Sequence, residues 1–293
     1  MTVNIAYELA MMGSKVLVID LDDQANSSLY LGVNKADEFN KAKSINEFNR
    51  ILDSFRGRKE VIDFLREDID APEFDYREFI NENSPFNEFI KQSGTSNGRI
   101  DVLPGSYRTK EDEMLTQIAG GGGIKQNRLY RALQRTGISS FYDYVIIDTP
   151  PNLTMAGSNG LYASRYLIVP TQLEYFSVFG VRSVIRNIQK TVQFDTDSQR
   201  GKVLGIVPMM TEPNNKINKL AGQLLQQVLP PEIEIFPEIK RTTYFAAAVK
   251  DRLPISVFAA KKPRNAGQAA MQVSKLAEKL LEKIDREEST RGN

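Results

Sequence analysis

The sequence predicts a doubly wound α/β fold, a mostly parallel sheet with helices on both faces. Three observations predict it. Four short aliphatic and β-branched runs recur, at residues 15–21 (KVLVIDL), 143–149 (DYVIIDT), 165–171 (RYLIVPT) and 202–208 (KVLGIVP). Their continuous apolar character suits strands buried on both faces, as in parallel sheets. Helix-like segments separate each run from the next, and strands that alternate with helices build doubly wound sheets. The first two runs end in carboxylates, at the sheet edge where open α/β folds bind ligands.

Taken in order, residues 2–12 place Val3, Ile5, Ala6, Leu9 and Ala10 near helical spacing, with Gly13 as a C-terminal cap. The strand at 15–21 follows. Between Asp37 and Asn97 the composition shifts to charged, Asn- and Phe-rich helical pieces (FNEFI, KEVIDFLRED, DYREFINEN) that end in GTSNG, and this region reads as an insertion on the surface of the sheet. A shorter strand at 99–103 meets Pro104-Gly105, and a helical segment runs to the glycines at 120–123. That glycine run reads as a loop, because no Lys-Ser or Lys-Thr pair follows it as a phosphate cradle requires. The last helix carries Val273, Ala277, Leu280 and Ile284 on one stripe and ends in REESTRGN. Its polar face mixes acids with bases, so the stripe reads as core packing and not as a membrane anchor.

Composition narrows the chemistry. With 293 residues and 41% hydrophobic residues the chain can bury a real core, and 38 Lys+Arg against 37 Asp+Glu give a net charge of +1. Nucleic-acid binding must therefore come from a local patch. The absence of Cys and His excludes disulfides, thiolate metal sites and imidazole catalysis. Carboxylates, Lys, backbone amides and a hard cation remain. No apolar run approaches the roughly 20 residues of a membrane span, and a cytoplasmic location is expected.

The candidate site residues lie at the strand ends. VIDLDDQANSS places Asp20, Asp22 and Asp23 after the first strand, and alternation along an extended chain puts Asp20 and Asp22 on one side. Two such carboxylates suit a hydrated magnesium ion and an attacking water. They suit equally a solvated acidic turn that caps the next helix. Asp148 follows four apolar strand residues in YVIIDTPPNL, the form of a Walker B aspartate that holds Mg²⁺ beside nucleotide phosphates, although many strands end in an acid. Pro150-Pro151 gives that strand a rigid exit.

These strings resemble the ParA/MinD family of deviant P-loop ATPases. KVLVIDLDDQAN is similar to the family's motif after its first helix, DYVIIDTPPNL to its Walker B segment, and PTQLEYFSVFGV to the strand and loop that follow. RIDVLPGS, GIVPMM and EIKRTTYFAAAVKDRLPI extend the match to about residue 258, with the 37–97 region matching poorly. The resemblance implies a ParA/Soj-type chromosome or plasmid partition ATPase with ATP and Mg²⁺ as ligands, which forms a homodimer around ATP. It implies nonspecific DNA binding, nucleoid association and release by a ParB-like activator. It assigns Asp22 to the attacking water, Asp20 and Asp148 to the magnesium shell, and Pro208, Met209 and Met210 to the border of the adenine. Lys240, Arg241, Lys250 and Arg252 fall where the family places cations that contact phosphates, although a solvated charged face would look the same.

The sequence departs from the family in three ways. The family opens with a strand and a KGGxGKT loop, whereas Met1-Thr2-Val3-Asn4 begins inside the helix that follows. No GxxxxGK occurs, and the one Gly-Lys pair, Gly201-Lys202, has Thr196 in place of the first glycine and is followed by Val203. The expectation is an N-terminally truncated chain that binds ATP weakly and leaves unpaired backbone beside the lost strand. Asp23 replaces a usual proline, and Ala247 stands where many relatives carry an acid. The competing function is a noncatalytic DNA-binding or dimerisation partner. A MinD-like membrane ATPase is disfavoured by the last helix, an iron–sulfur reductase by the missing cysteines, and a tyrosine kinase by the lack of any tyrosine after Tyr244.

Overall fold

The computed structural model describes residues 1–33, 42–47, 49–50, 59–94, 97–106, 127–151, 154–192, 200–212 and 214–291. The glycines at 120–123 lie outside the described residues, as do parts of the 37–97 region. The chain divides into two compact units, Met1–Gly160 and Leu161–Asn293.

The first unit is built on a three-stranded parallel sheet of order β2-β1-β3, with β1 at Lys15–Asp20, β2 at Arg99–Leu103 and β3 at Tyr144–Asp148. Helix α1 (Thr2–Met11) packs on all three strands and ends before Gly13, whose φ of +97° stops the helix as its sequence position foretells. Residues Val16 through Ile19 of β1 have no exposed surface, because strands lie on both sides and helices on a face. β3 reads as the same kind of apolar run, yet it is half-buried along its whole length. Its second edge has no strand partner among the described residues.

The far edge of β2 is covered by residues 81–87. Asn81 exchanges both backbone hydrogen bonds with Val102, and the Asn87 side-chain amide bonds the N–H and C=O of Ile100 at 2.8 and 2.9 Å. Two asparagines thus stand in for a fourth strand and hide backbone groups that would otherwise pair with another chain. Behind them, α3 (Val61–Arg66), a 3₁₀ turn (Tyr76–Phe79) and α4 (Phe86–Gln92) bury their own aromatics. Phe64 packs edge-on to Phe79, and Phe86 meets Tyr7 and Tyr30 edge-on. Around the site lies α2 (Asn26–Tyr30), and α5 (Arg128–Arg135) and α6 (Ile138–Phe141) lead into β3. Helix α7 (Met155–Ala163) carries the chain into the second unit.

The second unit holds β4 (Tyr166–Gln172), β5 (Lys202–Thr211), β6 (Glu234–Ile235) and β7 (Ile239–Lys240), all parallel to their neighbours, with β4 and β6/β7 flanking β5. Helices α8 (Tyr175–Val192) and α9 (Lys216–Val228) cover it through Val181, Ile185, Ile188, Ala221 and Leu225, which close on Leu167, Val203 and Ile206. Helices α10 (Thr243–Lys250) and α11 (Ile255–Lys261) lead to α12 (Pro263–Arg291). The stripe on α12 packs as expected at Val273, Ala277 and Leu280, and Ile284 is half-buried. One turn later the contacts become ionic. Glu287 takes Lys202 and Lys283, Glu288 takes Arg165, and Glu234 takes Lys283 and Arg286. These pairs tie the end of α12 to the starts of β4 and β5 and to β6. No helix among the described residues is long and apolar enough to cross a membrane.

Candidate functional site

The carboxylates predicted from strand ends do gather at the C-terminal edge of the first sheet, but in two different settings. Asp20 and Asp148 are register partners across β1 and β3. The strand ends at Asp20, so the alternation that would carry Asp22 onto the same side stops there. The chain bends so that the Asp22 N–H is donated to Asp20 Oδ1 at 3.2 Å, and Gln24 N–H is donated to Asp22 Oδ1 at 3.0 Å.

Asp20 has no exposed surface. Its Oδ2 accepts the Ser28 N–H at 2.8 Å and the Ser28 hydroxyl at 2.7 Å. Burial outweighs these donors and pushes the Asp20 carboxyl up to about 6, with the charge of Asp148 adding to the rise. Asp22 is raised as well, by burial first and by the neighbouring charges of Asp23 and Asp148. Asp148 stands at the N-terminal end of α1. It accepts the Thr2 hydroxyl on Oδ1 at 3.0 Å and the Ser27 hydroxyl on Oδ2. A helix N-terminus favours an anion at this place.

The conformation of α2 delivers both serines. Ala25 takes a left-handed φ of +48° just before the helix, which turns the chain from the acidic loop into Asn26–Tyr30. Consecutive residues of the short helix then face different carboxylates, Ser27 toward Asp148 and Ser28 toward Asp20. Ser27, Ser28 and Thr2 were missed in the sequence. The pairing of a serine doublet with two strand-end acids was the signal available.

The donor set here is all oxygen, which suits a hard cation. Among the described residues no group of three or more Asp or Glu is arranged to hold a metal by itself. Magnesium bound by one or two carboxylates usually completes its sphere with waters and substrate phosphates, and Asp148 with the nearby hydroxyls fits that mode.

In the second unit, Pro208 is buried, Met209 half-buried and Met210 exposed. Met210 takes φ +54° inside a bulge, where Met209 pairs with Ile239 and Thr211 with Lys240. The extra residue breaks the pleat and turns the Met210 side chain outward, and such bulges recur beside functional sites. Of the four cations expected to meet phosphates, Lys240 lies 3.9 Å from Glu238 and Arg241 3.5 Å from Glu212. Lys250 is exposed at the end of α10, and Arg252 is half-buried with φ +50°. A second basic feature was missed. Arg182, Arg186 and Lys190 stand four residues apart on the exposed side of α8, whose sequence has no acid. Their i, i+4, i+8 spacing was legible.

Comparison with known proteins fits this arrangement. A family described as "AAA domain" matches residues 1–199. The sporulation initiation inhibitor protein Soj of Bacillus subtilis is 29% identical over 199 residues, 66% of this chain and 62% of Soj. Among solved structures, an ATP complex of McdA from Cyanothece superposes with a TM-score of 0.65 at 16% identity, covering 97% of this chain and 91% of that one. The septum site-determining protein MinD of Pyrococcus horikoshii, complexed with Mg-ADP, gives a TM-score of 0.60 at 17% identity, covering 95% and 88%. The family match, the parallel sheets and the acids at the ends of β1 and β3 agree: the chain belongs to the AAA-domain family, in its ParA-type branch of partition ATPases.

Proposed function

We propose that this chain acts as a ParA-like ATPase in plasmid or chromosome partitioning, in which ATP and Mg²⁺ switch dimerisation and nonspecific DNA binding and a ParB-like protein triggers release. The observation that carries this reading is the placement of Asp22 and Asp148, with the Thr2 and Ser27 hydroxyls, at the C-terminal edge of a parallel sheet. In it Asp148 holds the magnesium ion, and the partly exposed Asp22 orients the attacking water. When bound, magnesium would neutralise negative charge on the nucleotide phosphates. Thr2 and Ser27 fix the Asp148 carboxylate so that it faces the cation in one orientation. Pro208, Met209 and the outward-turned Met210 border the adenine. Lys240, Arg241, Lys250 and Arg252 supply phosphate contacts to DNA, and the Arg182–Arg186–Lys190 stripe supports this by adding a face without acids. Both compact units belong, in this reading, to one ParA-like domain with 37–97 inserted in it, acting in the cytoplasm on the nucleoid.

A second reading is favoured by the acid-free sequence of α8, whose exposed cations can meet DNA phosphates without any nucleotide. In that case the chain is a noncatalytic DNA-binding or dimerisation partner. Fluorescence anisotropy of a labelled random-sequence duplex, with and without Mg-ATP, separates the two. Tightening by ATP, lost in Asp148→Asn, supports the ATPase. Binding that is identical with and without nucleotide supports the partner.

A further inference from the structure

We infer that Asp20 is a brace and not a magnesium ligand, and that Ser28 is the positioning residue through which it fixes α2 and the 104–106 loop around the site. Three of the roughly four lone-pair directions of the Asp20 carboxylate are already taken from inside the protein. Oδ2 receives the N–H and the hydroxyl of Ser28, and Oδ1 receives the Asp22 N–H. The group has no exposed surface, so a cation and its waters cannot reach it without displacing these donors.

The brace continues through Ser28. Its Oγ donates to Asp20 and accepts the Gly105 N–H at 2.8 Å, so one hydroxyl joins the end of β1 to the loop after β2. That loop approaches so closely that a Cβ on Gly105 would lie 2.9 Å from Asp20 Cγ and 3.1 Å from Ala25 Cβ. A step further out, the Pro104 C=O accepts the Val61 N–H that opens α3, which links the brace to that helix. Because α2 has only five residues, holding Ser28 also holds Ser27, whose hydroxyl reaches Asp148. Asp20 thus acts on the cation site at second hand. Asp148 accepts one hydroxyl on each oxygen among the described residues and lies on a half-buried strand, which leaves it room for an incoming ligand.

The role given to Asp148 rests on the ATPase reading, whereas the brace itself can be tested without any metal. The experiment combines a thermal double-mutant cycle with titration of Mn²⁺, as a probe for Mg²⁺, by electron paramagnetic resonance on the full chain. Asp20→Ala and Ser28→Ala should each lower Tm by roughly 4 °C or more, and the double variant should fall little below the worse single one, since both break the same clamp. Each should weaken Mn²⁺ binding by a similar factor of about ten, the usual cost of losing an outer-sphere partner, while Asp148→Asn removes saturable binding. Ile62→Val, a core change in α3 with a comparable Tm loss, should leave Mn²⁺ affinity unchanged. The brace is refuted if the two Tm effects add fully. It is also refuted if Asp20→Ala removes Mn²⁺ binding as Asp148→Asn does while Ser28→Ala leaves it intact. Absence of Mn²⁺ binding in the unmodified chain would sink the nucleotide-site reading alone, and the thermal cycle would then decide the brace.

Discussion

The ends of β1 and β3 carry the same sequence word, four apolar residues followed by aspartate, and they come to opposite states. β1 has a strand on each side and its Asp20 is sealed, bonded by Ser28 and Asp22 and pushed up to about 6. β3 has one strand partner among the described residues, is half-buried throughout, and its Asp148 accepts the hydroxyls of Thr2 and Ser27. Position in the sheet, and not the local motif, separates a carboxylate that can meet a ligand from one that holds the scaffold. The second unit offers a further contrast. There Glu287 sits between Lys202 and Lys283 and is held below the usual carboxylate range, chiefly by its bond from Lys202.

The largest expected effect is the pH dependence of the first unit. Asp20 has a folded pKa of about 6 against an ordinary value of 3.8, so the folded state holds the proton more tightly than the unfolded one. Its contribution is then fully present below the unfolded value and is lost as pH rises through about 6. At most about 3 kcal/mol would disappear between pH 4 and pH 7. Urea denaturation across that range, read on the first unit's tyrosines, checks the sign, and stability that rises with pH would break the comparison.

Next, Asp20→Ala should flatten this profile and cost more at pH 5 than at pH 7. About 2–3 kcal/mol is expected at pH 5, where the Ser28 and Asp22 N–H groups are left buried without acceptors and no buried charge is relieved. Gly105→Ala should cost about 2 kcal/mol, because its Cβ must displace the Asp20 carboxylate or the backbone beside Ala25. Measured by the same denaturation, a neutral result would show that the loop is not clamped. The smallest effect belongs to the second unit. Glu287→Gln should cost about 1 kcal/mol or less at pH 7, and still less as pH falls through the lowered Glu287 value, the opposite slope to that of Asp20. A loss that grows toward acid pH would contradict the ion-pair account.

Much of the fold was legible because burial on both faces forces a continuous apolar run, and runs of that kind can be read without neighbours. The expected strands at 15–21, 99–103, 143–149, 165–171 and 202–208 appear at those places, with β5 three residues longer, to Thr211. The helix before Gly13 and the α12 stripe were legible for the same reason, since helical spacing is a local property. The covering of β2 by Asn81 and Asn87 was not legible. A single-residue backbone bridge at Asn81 and one side-chain amide at Asn87 leave no periodicity, and the region reads only as polar and helical.

The sequence by itself determined the parallel α/β class, the carboxylates at strand ends and the exclusion of thiolate and imidazole chemistry, because these depend on residue type and short-range spacing. Tertiary structure alone decided which aspartate is sealed and which is open. It turned Ser27 and Ser28 of one short helix toward two different carboxylates, and it set Met210 outward in a bulge. Each of these depends on what lies beside a strand or across a loop, such as Gly105 lying 77 residues from the serine that bonds it. Contacts between residues so far apart in the chain leave no local pattern, and only the folded chain brings them together.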